Sequence, residues 1–279
     1  LLYGIAGAYQ PSVQASIPAL TEPEQFMAAN SIINTISSIS ALTGPVLGGI
    51  LYSAYGLKPV LWICTACFVL SAVMEIFIQI PFQRQPSQGG IWKTVREDFA
   101  ESLRFIRREN PVIGKAVLVV CGINLFLSAM IIVSLPYLIT EVLDLEAALA
   151  NRLYGFAEGI LAAGGLSGGI CAGLLASRLT VAKSGRLLIA CSLCVFPIAA
   201  ALLLCSSGMA AYLVITACCF GVMVFSTIFS VQMMSFVQAQ TPRNIMGKVI
   251  AVILTACMCA QPLGNALYGI LFEVCRGRE

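Results

Sequence analysis

The sequence predicts an all-α integral membrane protein, and its composition and the spacing of its apolar segments support this fold class. Hydrophobic residues make up 59% of the 279 residues, whereas charged residues make up only 10%. Soluble domains carry about 25% charged residues, so this chain lacks the side chains for a surface that faces water. A spanning helix needs ~20 mostly apolar residues. Segments of that kind recur along the chain.

Eight segments fit this requirement, and we expect each to form a membrane-spanning helix. The first is short, as expected if the sequence begins inside a span, and it opens with Leu1 rather than Met. The predicted spans are 1–17, 30–53, 59–80, 112–139, 153–176, 187–205, 209–238 and 249–272.

Basic residues gather in alternate connections between these spans. The connection 81–110 is long and basic, and the connections that contain Arg178 and Arg243 are basic as well. The positive-inside rule therefore places these connections in the cytoplasm. Within the first of them, apolar residues follow a helical period on one side: Ile91, Val95, Phe99, Leu103 and Ile106. We expect this amphipathic helix to lie on the cytoplasmic face of the membrane.

Short matches between distant spans indicate an internal repeat. Ser12-Val13-Gln14 recurs as Ser230-Val231-Gln232, and Pro45 has a counterpart in Pro262. The matches equate helices six apart, as two parallel six-helix halves would. The chain is then predicted to hold the last three helices of the first half in 1–80, a cytoplasmic linker in 81–111, and the first five helices of the second half in 112–279. Three helices of a twelve-helix bundle would precede Leu1 and one would follow Glu279.

A glycine and proline cluster in the second span resembles a known signature. Ser40-x-x-x-Gly44-Pro45-x-x-Gly48-Gly49 is similar to the antiporter signature G-x-x-x-G-P-x-x-G-G of the major facilitator superfamily, with Ser40 in place of the first glycine. Other segments resemble the drug-efflux branch of that family, which includes macrolide and enterobactin exporters. These segments are Gln10-Pro11, Pro18-Ala19-Leu20, Ala28-Ala29-Asn30-Ser31, Leu103-Arg104-Phe105, Asn110-Pro111 and Met246-Gly247-Lys248-Val249.

The resemblance implies a helical bundle of the major facilitator type, of which eight of twelve helices are present. It also implies alternating access around a central cavity lined mainly by helices one, four, seven and ten of the full bundle. The signature residues Gly44, Pro45, Gly48 and Gly49 are then expected to have a structural role, because a kink and a surface without side chains let helices approach closely.

Glu158 is the predicted coupling residue. A carboxylate within a span costs ~2.5 kcal/mol or more, so it usually faces the bundle interior or a water-filled path. Glu158 shares one helical face with Gly165 and Gly169, which suit close helix packing. We therefore expect it to face inward and to exchange a proton for a cationic substrate. The alternative is an acid near the helix end that reaches the outer interface.

Uncharged polar residues within the spans are the candidates for the substrate cavity. Interhelical hydrogen bonding is the alternative role for the amides, and ordinary packing is the alternative for the one aromatic residue among them. The predicted cavity residues are Gln10, Gln14, Asn34, Asn124, Phe229 and Gln232.

Several other classes of protein are excluded by the residue types. The chain has no histidine, and its cysteines, including the pair Cys191 and Cys194, fall inside apolar segments, where they behave as small apolar side chains. We therefore expect no enzyme, no cofactor and no metal site, and a net charge of +3 is too small to indicate a nucleic-acid partner. The sequence favours a monomeric exporter of small amphipathic molecules in the cell membrane, driven by proton exchange. A metabolite or sugar importer of the same fold, or a membrane sensor or scaffold without transport, are the alternatives.

Overall fold

The computed structural model describes residues 2–78, 91–143, 146–179, 184–205 and 207–275. Within these ranges the chain forms ten α-helices: α1 Leu2–Leu20, α2 Phe26–Tyr55, α3 Leu57–Ile76, α4 Ile91–Arg104, α5 Pro111–Gly122, α6 Ala129–Tyr137, α7 Ala147–Leu174, α8 Ser184–Leu204, α9 Gly208–Gln240 and α10 Met246–Cys275. Residues 79–90, which hold the first part of the predicted linker, lie outside the described residues.

Six helical segments of the described chain are long and apolar enough to cross a membrane: Leu57–Ile76, Pro111–Val142, Arg152–Leu174, Ser184–Leu204, Gly208–Gln240 and Met246–Val274. The second combines α5 and α6, which a π-helical turn at Ile123–Ser128 joins into one continuous rod. The first two predicted spans are helical as α1 and α2, but they are not among the six.

The glycine and proline cluster lies inside a continuous helix. The 30 residues of α2 run through Gly44, Pro45 and Gly48 without a break. The helix ends where Gly56 adopts a φ of 73°, a left-handed conformation that suits glycine, and α3 follows directly. The expectation that this cluster lies within a helix, rather than a turn, is confirmed, whereas its place in a membrane-spanning helix stays a prediction.

Helix α7 is packed between α2 and α9 through two rows of glycines. On one side, a Cβ added at Gly168 would lie 2.7 Å from the Val224 carbonyl oxygen of α9. On the other side, a Cβ added at Gly173 would lie 2.6 Å from Ser31 Oγ of α2, and the Ser31 hydroxyl donates a hydrogen bond to the Gly169 carbonyl. Because Gly168 carries no side chain, the backbones of α7 and α9 meet directly, as in other small-residue helix interfaces. On the α2 side, the short hydroxyl side chains of Ser31 and Thr35 lie against the glycines.

The amphipathic helix α4 is attached to the beginning of α10. Lys248 Nζ lies 2.9 Å from Asp98 Oδ1 and 2.7 Å from Glu101 Oε2. The residues that follow α4 add an apolar attachment, since Phe105 and Ile106 are buried against the ends of α5, α9 and α10. We call this end of the bundle, where α1 and α9 end and α2 and α10 begin, the linker end.

One apolar side of α4 remains open. Val95 and Phe99 are each 54% exposed although α4 is held by the bundle. Attachment of α4 to a membrane surface through this side therefore stays a prediction. The sequence places Ile106 on the same side, but in the structure Ile106 is buried within the protein.

Candidate substrate pathway

Two adjoining cavities lie on α9 and share Ser230 and Met234 as common wall residues. The first cavity, of about 210 Å³, lies between α5, α9 and α10 and is lined by Ala116, Val117, Val120, Asn124, Ser230, Met233, Met234, Val237, Ile253, Leu254 and Cys257. The second, of about 260 Å³, lies between α1, α2 and α9 and is lined by Gln14, Asn30, Ile33, Asn34, Ser37, Ser230, Val231 and Met234.

The two cavities differ in chemistry, and we call them the apolar cavity and the polar cavity. Aliphatic and sulfur-containing side chains dominate the first, in which Asn124 and Ser230 are the amide and hydroxyl groups. Three amides and two hydroxyls line the second. None of the lining residues carries a charge. Pockets that bind small molecules commonly combine an apolar lining with a few polar groups, so this pair suits a molecule with one apolar and one polar end.

A network of buried amides joins the helices at the edge of the polar cavity nearest the linker end. Gln238 of α9 donates from Nε2 to the backbone carbonyl of Gln14 on α1 at 2.8 Å. Asn30 of α2 donates from Nδ2 to Gln238 Oε1 at 2.5 Å and to Ser235 Oγ at 3.2 Å. Asn30 is 4% exposed and Gln238 is 1% exposed. These bonds connect α1 and α2, which precede the linker, to α9, which follows it.

A second contact between the same two groups of helices lies close by. A Cβ added at Gly247, in the first turn of α10, would lie 3.8 Å from Ala15 Cβ on α1. The linker end of the bundle is therefore closed by direct contacts of α1 with both α9 and α10.

The helices separate toward the opposite end. Helices α2 and α7 run antiparallel, with Ser38 next to Gly165 in the region of contact. Seven residues farther along each helix, about 10 Å, lie Pro45 and Glu158. At this level the contact is lost: a Cβ added at Gly44, Gly48, Gly155 or Gly159 meets no atom of the described structure within 4 Å.

Glu158 therefore lies beside the part of α2 that carries the signature, where the two helices have parted. It is exposed, and it shares the face of α7 on which Gly165 and Gly169 contact α2 farther along. Its predicted inward position stays a prediction. Tyr154 precedes it by one turn on the same helix. Because a Cβ added at Gly44 or Gly48 would meet no described atom within 4 Å, the packing role of the signature remains a prediction.

The predicted cavity residues divide into three groups. Gln14 and Asn34 line the polar cavity and Asn124 lines the apolar cavity. Phe229 and Gln232 are buried, at 2% and 3% exposure, and line neither cavity. The Gln232 side chain has no hydrogen-bond partner among the described residues. For Gln10 the structure describes the helix but not the side chain.

Sequence reasoning missed Asn30, Ser37, Ser230 and Gln238 as residues of the site. A signal existed for some of them. Asn30 precedes Asn34 by four residues and so shares its helical face, while Gln238 follows Met234 at the same spacing. Because both sit near the predicted ends of spans, they resembled residues that reach the membrane interface.

Comparisons with known proteins agree with this architecture. The sequence profile of the Major Facilitator Superfamily matches residues 1–265. An uncharacterized MFS-type transporter of Bacillus subtilis, YfiS, is 26% identical over 277 residues, which cover 95% of this chain and 62% of YfiS. The multidrug resistance protein MdtG of Proteus mirabilis is 32% identical over 76 residues, 27% of this chain and 19% of MdtG. No solved structure matches the sequence.

Proposed function

The chain belongs to the Major Facilitator Superfamily, a family of multi-pass membrane transporters rather than enzymes, and from this premise we propose that it exports small amphipathic molecules by alternating access. The observation that carries the proposal is the pair of adjoining cavities between helices from both sides of the linker. An apolar cavity beside a polar one provides complementary surfaces for the two ends of such a molecule.

The contacts around the cavities support a two-state mechanism. At the linker end the helices from both sides of the linker are joined, and at the opposite end α2 and α7 have separated. Basic residues near α4 favour a cytoplasmic position for the linker end. In this proposal the structure corresponds to a state closed toward the cytoplasm and open toward the outside, and transport requires the reverse state as well.

Export rather than import is supported by the Gly44-Pro45-x-x-Gly48-Gly49 segment and by the partial similarity to a protein named for multidrug resistance. Proton coupling is assigned to Glu158 in this proposal. A carboxylate within a span favours its neutral form when it is desolvated, and the face that Glu158 occupies on α7 is the face that contacts α2 farther along. Movement of α2 over this face would cover Glu158 and remove it from water.

Transport by the full-length protein in sealed liposomes tests the proposal. With a proton gradient as the only driving force, we expect amphipathic dyes to move against their own gradient in the direction opposite to the protons. Glu158→Gln should remove the dependence on the gradient while leaving downhill exchange intact. If Glu158→Gln still moves dye against its gradient as the parent protein does, Glu158 does not have the assigned coupling role. A folded protein that moves no dye would favour the sensor or scaffold.

A further inference from the structure

Asn30 has an unbalanced set of hydrogen bonds. Its Nδ2 carries two hydrogens, yet three acceptors lie within 3.2 Å of it: the Phe26 carbonyl at 2.8 Å, Ser235 Oγ at 3.2 Å and Gln238 Oε1 at 2.5 Å. Its Oδ1 is buried and has no partner among the described residues. One acceptor therefore shares a hydrogen, while the Asn30 oxygen lacks a donor, and an unmatched buried polar atom is destabilising.

The orientation of these amides follows from the backbone. The Phe26 and Gln14 carbonyls accept hydrogen bonds and cannot donate them, so nitrogen must face them in Asn30 and Gln238 respectively. Reversing the Asn30 amide would place two oxygens against each other at Phe26. The unpartnered atom of Asn30 is therefore its oxygen, which needs a donor.

We propose that the polar cavity binds an uncharged hydroxyl or carboxamide group of the transported molecule at Asn30, and that this contact loosens the closure at the linker end; the inference rests on the proposed transport function. A hydroxyl can donate to Asn30 Oδ1 and also accept from Nδ2. None of the residues that line the cavity can neutralise a charged group, and burying an unpaired charge is costly. The apolar cavity beyond Ser230 and Met234 accommodates the rest of the molecule.

Binding and closure compete because they use the same atoms. A ligand that accepts from Asn30 Nδ2 takes a hydrogen that Gln238 Oε1 now receives. Gln238 in turn holds Gln14, which also lines the cavity. Occupation of the polar cavity therefore weakens the bond that joins α2 to α9. Every group in this network is an amide, a hydroxyl or a backbone carbonyl, so none of these groups changes its charge between pH values of about 5 and 9.

A disulfide reporter tests the inference in the full-length protein, purified into lipid nanodiscs. Ala15→Cys and Gly247→Cys, introduced together into a variant without other cysteines, should cross-link while the linker end is closed, because the Cβ separation of 3.8 Å suits a disulfide. The probes are 4-phenylbutan-1-ol, its methyl ether and 4-phenylbutanoate. We expect the alcohol to slow cross-linking, and the ether and the carboxylate to have no such effect.

Two variants complete the test. Asn30→Leu should raise the alcohol concentration for half-maximal effect about fivefold, as expected for one lost hydrogen bond. Gln232→Leu is the control, because it removes a buried amide that lines neither cavity, and it should leave the difference between alcohol and ether in place. Three outcomes would each overturn the inference. The alcohol and the ether could slow cross-linking equally, neither could slow it, or Asn30→Leu could respond to the alcohol as the parent protein does. Should Asn30→Leu fail to fold, the comparison of alcohol with ether in the parent protein decides.

The disulfide cross-linking assay does not require transport, so it can contradict the binding site without contradicting the transport function, and the reverse also holds. Dye transport without selectivity for the alcohol in the cross-linking assay would overturn only this inference. Alcohol-dependent opening in a protein that transports nothing would instead support the binding site and contradict the transport function.

Discussion

Adding a methyl group at Gly168 should separate α7 from α9. A Cβ at this position would lie 2.7 Å from the Val224 carbonyl oxygen and 2.8 Å from Thr227 Cβ. Both atoms belong to, or are directly attached to, the α9 backbone, so neither can rotate away. The two helices must move apart by several tenths of an ångström to restore ordinary contact distances.

The cost can be estimated from the behaviour of overpacked interiors. Forcing an extra methyl group into a packed interface typically costs about 1–3 kcal/mol, and replacing glycine by alanine within a helix returns up to about 1 kcal/mol. Because the Cβ would meet atoms that cannot move away, we take a cost of about 2–3 kcal/mol, and after a return of about 1 kcal/mol we expect Gly168→Ala to be destabilising by about 1–2 kcal/mol. In a protein of this size, that corresponds to a loss of roughly 2–8 °C in Tm.

Gly159→Ala is the matched control, because it lies on the same helix and an added Cβ there meets no atom within 4 Å. The variants should be compared by the temperature at which the monodisperse peak disappears in size-exclusion chromatography. Gly159→Ala should be as stable as the parent or slightly more stable. Equal Tm values for Gly168→Ala and Gly159→Ala would refute the direct contact between the backbones of α7 and α9.

Three further predictions concern other parts of the bundle. Oxidation of the double variant Ala15→Cys with Gly247→Cys should stop dye transport, and a reductant should restore it, because the linker end must open once per transport cycle. Continued transport by the oxidised protein would contradict the closure of the linker end. Lys248→Met should lower Tm only slightly, because half-exposed ion pairs contribute about 0.2–1 kcal/mol each; a loss of folding would show that α4 depends on its charges rather than on Phe105 and Ile106. Gly48→Leu should abolish dye transport but preserve membrane insertion, measured by flux and by extraction into detergent, and a normal flux would exclude the packing role of the signature.

The helical architecture could be predicted because the bilayer restricts what an apolar chain can form. Gly44 and Pro45 would indicate a turn in water, yet in a spanning segment the backbone must satisfy its hydrogen bonds internally, and helix is the conformation that does so. The glycines of α7 likewise indicated close packing from their spacing alone. The spacing did not reveal which row meets α2 and which meets α9, since that depends on tertiary packing.

The site was only partly predictable for a similar reason. Gln14, Asn34 and Asn124 stood out as amides within apolar segments, and all three line cavities. The bond between Asn30 and Gln238 joins residues 208 positions apart, and no periodicity indicates which distant amides will meet. The exposure of Glu158 depends on where α2 and α7 separate, which is a property of two helices rather than of either one.

The doubled glycines of α7 also bear on how displacement passes through the molecule. At an ordinary helix interface, side chains change rotamer and so absorb small shifts before the backbone moves. Toward α9, Gly168 leaves no such layer, because an added Cβ there would meet the α9 backbone; toward α2, the short hydroxyl side chains of Ser31 and Thr35 lie against the glycines. A tilt of α2 would push on α7, and α7 would push on α9, with little slack between them. Helix α7 therefore transmits a displacement of α2, which precedes the linker, to α9, which follows it.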